Sequence, residues 1–174
     1  MVNASEIEKQ LLPHVDAAYN LARWLTGDDQ DARDVVQEAY LKAFRFFDTM
    51  KGLDAKPWLL KIVRNSGYTW LEKNRGAREA VEYDDEVHGE PAAGADPESL
   101  LLQRLEQSRA RHALERLPVA YREALVLYEL EGLSYKEIAE VTGAAIGTVM
   151  SRISRGRARL QALVAAGNEA EDPK

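Results

Sequence analysis

The sequence predicts an all-α fold made of two small helical domains that are joined by a flexible acidic linker. Apolar residues recur at helical spacing on both sides of residues 79–98, and no segment of useful length alternates between apolar and polar residues as a strand would. Hydrophobic residues make up 45% of the 174 residues, which is enough to form real cores. We therefore expect helical domains at 1–78 and 99–165, the linker at 79–98 and a disordered tail at 166–174.

The linker is predicted from the distribution of charge. Of the 29 Asp and Glu residues in the chain, eight fall within residues 79–98, where there is no Lys or Arg, so all of the excess negative charge behind the formal net charge of −6 lies in this segment. The segment shows little aliphatic periodicity, so it cannot bury enough apolar surface to become ordered. Asp84, Asp85 and His88 are a conceivable metal site, but a solvated acidic spacer is the better interpretation because such runs are common.

The first domain is predicted to be a bundle of helices. The stretch SEIEKQLLPHVDAAYNLARWL is amphipathic and is expected to bend at Pro13. A later helix, PWLLKIVRNSGYTWLEKNR, begins with Pro57, which suits the first turn of a helix. Between them, QDARDVVQEAYLKAFRFF places its apolar residues at helical spacing, and these are Val35, Val36, Ala39, Tyr40, Ala43, Phe44 and Phe47.

The second domain is predicted to contain a helix-turn-helix. Two helices come first, SLLLQRLEQSRARHALERL and then LPVAYREALVLYELEG, which opens with a proline and ends with a glycine. Ser134 and Glu137 have the spacing of a capping box, so the next helix should start at Tyr135 and end at Gly143, with another beginning near Thr148. Two helices joined by a tight glycine-containing turn are typical of a helix-turn-helix.

The last helix has its arginines on the side that faces away from the core. No acidic residue occurs between Gly143 and Leu160, and Val149, Ile153 and Leu160 recur at inward spacing. The outward polar residues are Thr148, Ser151, Arg152, Ser154, Arg155 and Arg159. Arginine pairs with phosphate as a charge and with guanine as a bidentate fork, so the helix is predicted to enter the DNA major groove. A charged stripe alone would favour an ordinary solvated face, which is the alternative interpretation.

Several classes of protein are not supported by the sequence. There are no cysteines, which excludes disulfides and thiolate chemistry, and the histidines stand far apart in no ligand spacing. The first residues do not read as a secretory signal, and no apolar run approaches the roughly 20 residues of a membrane span. We therefore expect a cytoplasmic protein without catalytic residues, cofactor or metal.

Taken in order, these segments resemble an extracytoplasmic-function (group 4) sigma factor of bacterial RNA polymerase. The resemblance is carried by DARDVVQEAYLKAF, PWLLKIVRN, the acidic linker and LPVAYREALVLYELEGLSYKEIAEVTGAAIGTVMSRISRGRARL, from about Leu11 to Leu163. It implies two tethered helical domains, sigma-2 and sigma-4, and an alternative sigma factor that directs the polymerase core to promoters. A helix-turn-helix regulator that acts at an operator without joining the polymerase is the alternative.

The resemblance also implies which residues bind. Asp34, Gln37 and Glu38 would dock on the clamp helices of the largest catalytic subunit, although local charge pairs such as Glu38 with Lys42 offer a simpler role. The residues implied for the melted −10 strand are Lys56, Trp58, Lys61, Arg64 and Asn65, of which Trp58 is equally well explained as a core residue. The residues implied for the −35 duplex are the outward polar residues of the last helix.

Three partners follow from the resemblance: RNA polymerase core, promoter DNA and an anti-sigma protein. The linker of the family threads through the active-site and RNA-exit channel of the polymerase, where an anionic chain suits a positively lined path. Met150 stands where the family usually has Lys or Arg, and Thr69 is less typical than a polar amide. Both departures are expected to change which promoter is read rather than whether one is read.

Overall fold

The computed structural model of the chain describes residues 3–75 and 97–170, and every regular element in these two ranges is helical. The predicted all-α class is confirmed. The predicted acidic linker lies outside the described residues from 79 to 96, and Pro97 and Glu98, which were assigned to it, already belong to a helix. We call residues 3–75 the N-terminal module and residues 97–170 the C-terminal module.

The N-terminal module is a helical bundle, as predicted. Its helices are α1 (Ala4–Leu11), α2 (Val15–Thr26), α3 (Asp29–Phe46) and α4 (Ala55–Lys73). A 3₁₀ turn at Leu12–His14 separates α1 from α2, so Pro13 interrupts the helix rather than bending it. Asp28 caps α3, since its carboxylate accepts hydrogen bonds from the backbone N–H groups of Gln30 and Asp31.

The core of this module lies between α2, α3 and α4. Leu21, Leu25 and Val63 are completely buried there. The helices α2 and α4 approach closely because Gly67 has no side chain: a Cβ at this position would lie 2.7 Å from Cδ1 of Leu25. Phe44, one of the apolar residues of α3 that recur at helical spacing, is 40% exposed.

The C-terminal module has the predicted helices with different ends. They are α5 (Pro97–Glu115), α6 (Val119–Leu125), α7 (Tyr135–Thr142) and α8 (Ile146–Ala170), and α6 continues as a π-helical segment at Val126–Leu130. The last helix starts at Ile146 rather than near Thr148. It also runs through residues 166–170, which were predicted to be a disordered tail, whereas residues 171–174 lie outside the described part of the chain.

The helix-turn-helix forms through the predicted local signals. The hydroxyl oxygen of Ser134 accepts a hydrogen bond from the N–H of Glu137 at 3.1 Å, and the Glu137 carboxylate accepts one from the N–H of Ser134 at 2.7 Å. This capping box starts α7. Gly143 ends it with φ +72°, a left-handed conformation that glycine adopts without strain, and the chain turns into α8.

The two modules pack against each other in the structure. Helix α4 lies against α7, the first helix of the helix-turn-helix, and α2 lies against α6. Buried residues of both modules form one connected hydrophobic cluster, which includes Leu60 of the N-terminal module and Ile138 of the C-terminal module. The sequence predicted the two modules but not this packing.

Candidate nucleic-acid and protein interfaces

The outward face of α8 is exposed as predicted. Val149 and Ile153 are only 1% and 2% exposed and attach the helix to the rest of its module. Gly156 lets α8 approach α6, because a Cβ there would meet Leu125 at 3.3 Å. The predicted DNA-binding residues lie on the other side: Thr148, Ser154, Arg155 and Arg159 are exposed, and Ser151 and Arg152 are half-buried.

The arginines of α8 differ in their partners. Arg157 forms an ion pair with Glu129 and lies over the ring of Tyr128, 5.2 Å from its centroid. Arg159 lies over the ring of Tyr121, 4.8 Å from its centroid. Among the residues that the structure describes, Arg152 and Arg155 have no side-chain hydrogen bond or ion pair, so their guanidinium groups are available to a nucleic acid.

Helix α3 presents the predicted polymerase-docking residues on one exposed face. Asp34, Gln37 and Glu38 are all exposed. The predicted local pair also forms, with Nζ of Lys42 2.6 Å from the Glu38 carboxylate, but both side chains are about half exposed and such i,i+4 pairs contribute about 0.3–0.5 kcal/mol. The same face continues with Leu41, which is 66% exposed and was not identified from the sequence.

The residues predicted for the −10 strand divide into two groups on α4. Lys61 and Asn65 are exposed. Trp58 is half-buried and meets the ring of Phe47 edge to face, with the centroids 6.4 Å apart, so part of its surface serves the core.

The other two residues of this set, Lys56 and Arg64, contact the C-terminal module, and their side chains are only 30% and 19% exposed. Nε of Arg64 donates to Oε1 of Glu123 at 2.6 Å, and the hydroxyl of Tyr68 donates to Oε2 of the same carboxylate at 2.8 Å. Glu123 is 1% exposed. Burial, together with the nearby Glu123 carboxylate, raises the pKa of Tyr68 to about 12.

A second contact between the modules surrounds Glu131, in the turn before α7. Nζ of Lys56 donates to the backbone carbonyl of Glu131 at 2.8 Å and lies 3.5 Å from its carboxylate. The side-chain amide of Asn20 donates to the same carboxylate at 3.3 Å. The interface between the modules therefore takes up cationic side chains of the predicted −10 surface.

Glu123 and Glu131 were not identified from the sequence, although the position of Glu123 in the sequence is unusual for a charged residue. It is a carboxylate directly before the apolar run Ala124–Leu127, all of which is buried. A charge inside a buried helix face needs a partner, but nothing in a single sequence says which distant residue supplies it.

In the part of the chain that the structure describes, no group of three or more acidic or histidine side chains is arranged to bind a metal. Nor does any helix in this part combine the length and hydropathy needed to cross a bilayer.

Known proteins resemble both modules. The family models of sigma-70 region 2 and sigma-70 region 4 match residues 11–77 and 107–160. The chain is 34% identical over 148 residues to the ECF RNA polymerase sigma factor SigE of Mycolicibacterium smegmatis, covering 85% of this chain and 57% of that relative, so it spans little more than half of SigE. It is 38% identical over 135 residues to the ECF RNA polymerase sigma-E factor of Escherichia coli K12, covering 73% and 70% of the two chains.

A solved structure agrees with these matches. The sigma factor RpoE of Bartonella quintana, crystallised with the anti-sigma factor NepR, aligns with a TM-score of 0.74 and 30% identity, covering 93% of this chain and 98% of that chain. The two-module helical fold and the motif blocks thus agree with sequence relatives and structural neighbours alike. The chain belongs to the extracytoplasmic-function sigma factors of the sigma-70 family.

Proposed function

We propose that the chain is an alternative sigma factor, a non-catalytic cytoplasmic subunit that joins RNA polymerase core and directs it to promoters by their −10 and −35 elements. One observation supports this most directly. A single chain carries an exposed acidic and amide face on α3 and an acid-free arginine face on α8, in modules that match sigma-70 regions 2 and 4 in order. An operator-binding regulator that does not join the polymerase would not need the acidic and amide face on α3.

The α3 face is suited to a basic partner helix. Asp34 and Glu38 supply carboxylates and Gln37 an amide, all exposed on adjacent turns. Leu41 and Phe44 extend the face with apolar surface that is 66% and 40% exposed. An interface of this kind combines charge complementarity, which fixes orientation and speeds association, with an apolar centre that contributes affinity. We assign it to the clamp helices of the polymerase.

The α8 face is suited to duplex DNA. Arg155 is exposed and Arg152 half-buried, neither has a competing ion pair among the described residues, and Ser151 and Ser154 place hydroxyls beside them. These groups are suited to reach base edges, and we assign the exposed Thr148, in the first turn of the helix, to a phosphate contact. We assign this face to the −35 element, and Lys61 and Asn65 with their neighbours on α4 to the melted −10 strand.

A protein inhibitor is a further partner that we propose. The relative RpoE of Bartonella quintana is bound by the anti-sigma factor NepR in its crystal structure. The similarity covers 93% of the present chain, so a regulatory protein that holds it away from the polymerase is expected.

The test is core binding by a charge-reversal variant. Asp34→Lys with Glu38→Lys should abolish co-migration with RNA polymerase core on a sizing column, because the docking face then repels a basic partner. Glu6→Lys with Glu8→Lys is the matched control, since it makes the same charge change at exposed positions of α1. Co-migration of the first variant with core at wild-type affinity would show that the docking face is assigned wrongly.

A further inference from the structure

We infer that Glu123 is an internal competitor for the −10 strand. It holds Arg64 inside the interface between the modules, so the chain alone closes part of its own −10 surface and must separate its modules before Arg64 can bind DNA. This inference rests on the proposed role of Arg64 at the −10 element and adds a means of regulating the same site.

The buried carboxylate of Glu123 depends on the N-terminal module for its hydrogen bonds. Its side chain is 1% exposed, and a buried carboxylate is strongly unfavourable unless it is paired. The side-chain donors to it, Arg64 at 2.6 Å and Tyr68 at 2.8 Å, both come from α4 of the other module. The contact therefore satisfies Glu123 only while the modules are packed together.

Arg64 is held in the interface by both Glu123 and Tyr68. The Arg64 guanidinium lies 4.1 Å from the centroid of the Tyr68 ring, so stacking and the Glu123 carboxylate fix it in one orientation. Burial opposes its charged form, but the Glu123 charge and hydrogen bond outweigh that effect and raise the pKa of Arg64 above its ordinary value. Arginine pairs with carboxylate and phosphate through the same set of N–H donors, and Arg64 is only 19% exposed while Glu123 holds its Nε, so a DNA phosphate has to compete with Glu123 for this group.

The contact at Glu131 also holds a cation of the predicted −10 surface against the C-terminal module. Lys56 donates to its backbone carbonyl at 2.8 Å, so a second cation of the −10 surface is also taken up by the C-terminal module. Lys61 and Asn65 remain exposed on α4. The closed chain thus keeps Lys61 and Asn65 on its −10 surface, while the C-terminal module holds Lys56 and Arg64.

The expected size of the effect follows from the population of the open form. Apparent affinity falls by the fraction of molecules that are competent to bind, so a chain that is open one-tenth of the time binds a strand about ten-fold more weakly than one that is always open. Weakening the Glu123 contact should raise that fraction without touching any residue assigned to DNA.

The experiment uses the whole chain carrying Glu8→Cys and Gln161→Cys, exposed positions in α1 and α8, since the protein has no cysteines of its own. Nitroxide labels report the distance between the modules, and a fluorescent single-stranded oligodeoxynucleotide of mixed sequence reports strand binding. Glu123→Gln removes the charge, and Tyr68→Phe removes one hydrogen bond without changing charge. Glu115→Gln, whose carboxylate pairs with Arg111 within α5, is the control for lost negative charge.

The expected result is a longer label distance and up to about ten-fold tighter strand binding for Glu123→Gln, with a smaller change in the same direction for Tyr68→Phe and none for Glu115→Gln. Circular dichroism of each variant shows that the helices are intact. Unchanged distances in both Glu123→Gln and Tyr68→Phe would overturn the inference. Longer distances without tighter strand binding would uphold the contact between the modules and overturn the assignment of Arg64 to the −10 strand.

Discussion

Residues that look alike in the sequence have different partners in the structure. Helical spacing predicts that Arg155 and Arg159 face away from the core, and both are exposed. Spacing cannot predict that Tyr121 lies beneath Arg159, or that Glu129 pairs with Arg157, because these partners come from an earlier helix and are brought close only by the fold. The outward face of α8 was therefore predictable, and the division of its arginines into free and engaged groups was not.

Arg155→Ala should reduce promoter-dependent transcription roughly ten-fold or more and relax the preference at one position of the −35 element. A bidentate contact from arginine to guanine contributes about 1–3 kcal/mol of discrimination. Arg159→Ala should instead weaken binding about equally on all sequences and make the salt dependence shallower, because a phosphate contact carries no sequence information. Both variants are measured, bound to core, on single-base −35 substitutions at several salt concentrations.

Arg157→Ala is the matched comparison, because Arg157 is already paired with Glu129. We expect it to have the smallest effect of the three. Equal losses on every sequence for Arg155→Ala would reduce Arg155 to a phosphate contact. No loss for either Arg155→Ala or Arg159→Ala would mean that the face is an ordinary solvated one.

Asp29 gives a prediction about pH. Its Oδ1 accepts hydrogen bonds from the Tyr19 hydroxyl at 2.9 Å and from Nε of Arg23 at 2.7 Å, and these bonds lower the pKa of Asp29 below its ordinary value of 3.8. A lowered carboxyl pKa stabilises the fold above the unfolded-state value, and this stabilisation is lost as the pH falls through the folded-state value. Asp29→Asn should therefore lose less free energy of unfolding between pH 6 and pH 3 than the wild type, as measured by urea denaturation. An identical pH dependence would contradict the assignment.

At the scale of elements, starts and stops with a local chemical cause were predictable. The Ser134–Glu137 capping box and Gly143 delimit α7 as the sequence indicated. Features that depend on the packing of one helix against another were not predicted. Helix α8 packs against α5 and continues to Ala170, and Phe44 is 40% exposed although it shares the helical spacing of the buried Ala39 and Ala43. Such outcomes depend on neighbours that a single segment does not reveal.

Gly67→Ala should lower the free energy of unfolding by about 1–3 kcal/mol, although alanine is the better helix former. The added Cβ would lie 2.7 Å from Cδ1 and 3.5 Å from Cβ of Leu25, which is fully buried and has little room to move. Gly167→Ala in α8 is the matched control, because its Cβ would meet nothing within 4 Å, and it should be neutral or slightly stabilising. Urea denaturation of both variants measures the difference, and equal stabilities would show that α2 and α4 can move apart.

At the scale of the molecule, the sequence predicted two helical modules but not the interface between them. The periodicity that identifies a helix face does not say whether that face meets its own module or the other one. Glu123 shows the difference: its buried carboxylate accepts hydrogen bonds from Arg64 and Tyr68 of α4, which belong to the other module. The candidate site was accordingly predicted as a set of residues, whereas the contacts of Lys56 and Arg64 with the C-terminal module could be seen only in the fold.

The distribution of charge over the whole chain gives the last prediction. Residues 79–98 carry eight acids without a Lys or Arg, and most of this segment lies outside the described residues. If the linker follows a positively lined channel in the polymerase, as the family resemblance implies, Asp84→Asn, Asp85→Asn and Glu86→Gln together should leave core affinity nearly unchanged and slow productive initiation.

The matched control neutralises three exposed acids of the N-terminal module, Glu6, Glu8 and Asp16, and so makes the same change in net charge elsewhere. Core affinity is measured by co-migration, and initiation by run-off transcription over a range of salt, because screening weakens a charge-dependent path as ionic strength rises. The linker variant should differ most from wild type at low salt and converge with it at high salt, while the control follows wild type throughout. Unchanged promoter output from the linker variant at every salt concentration would mean that its acids act only as a solvated spacer.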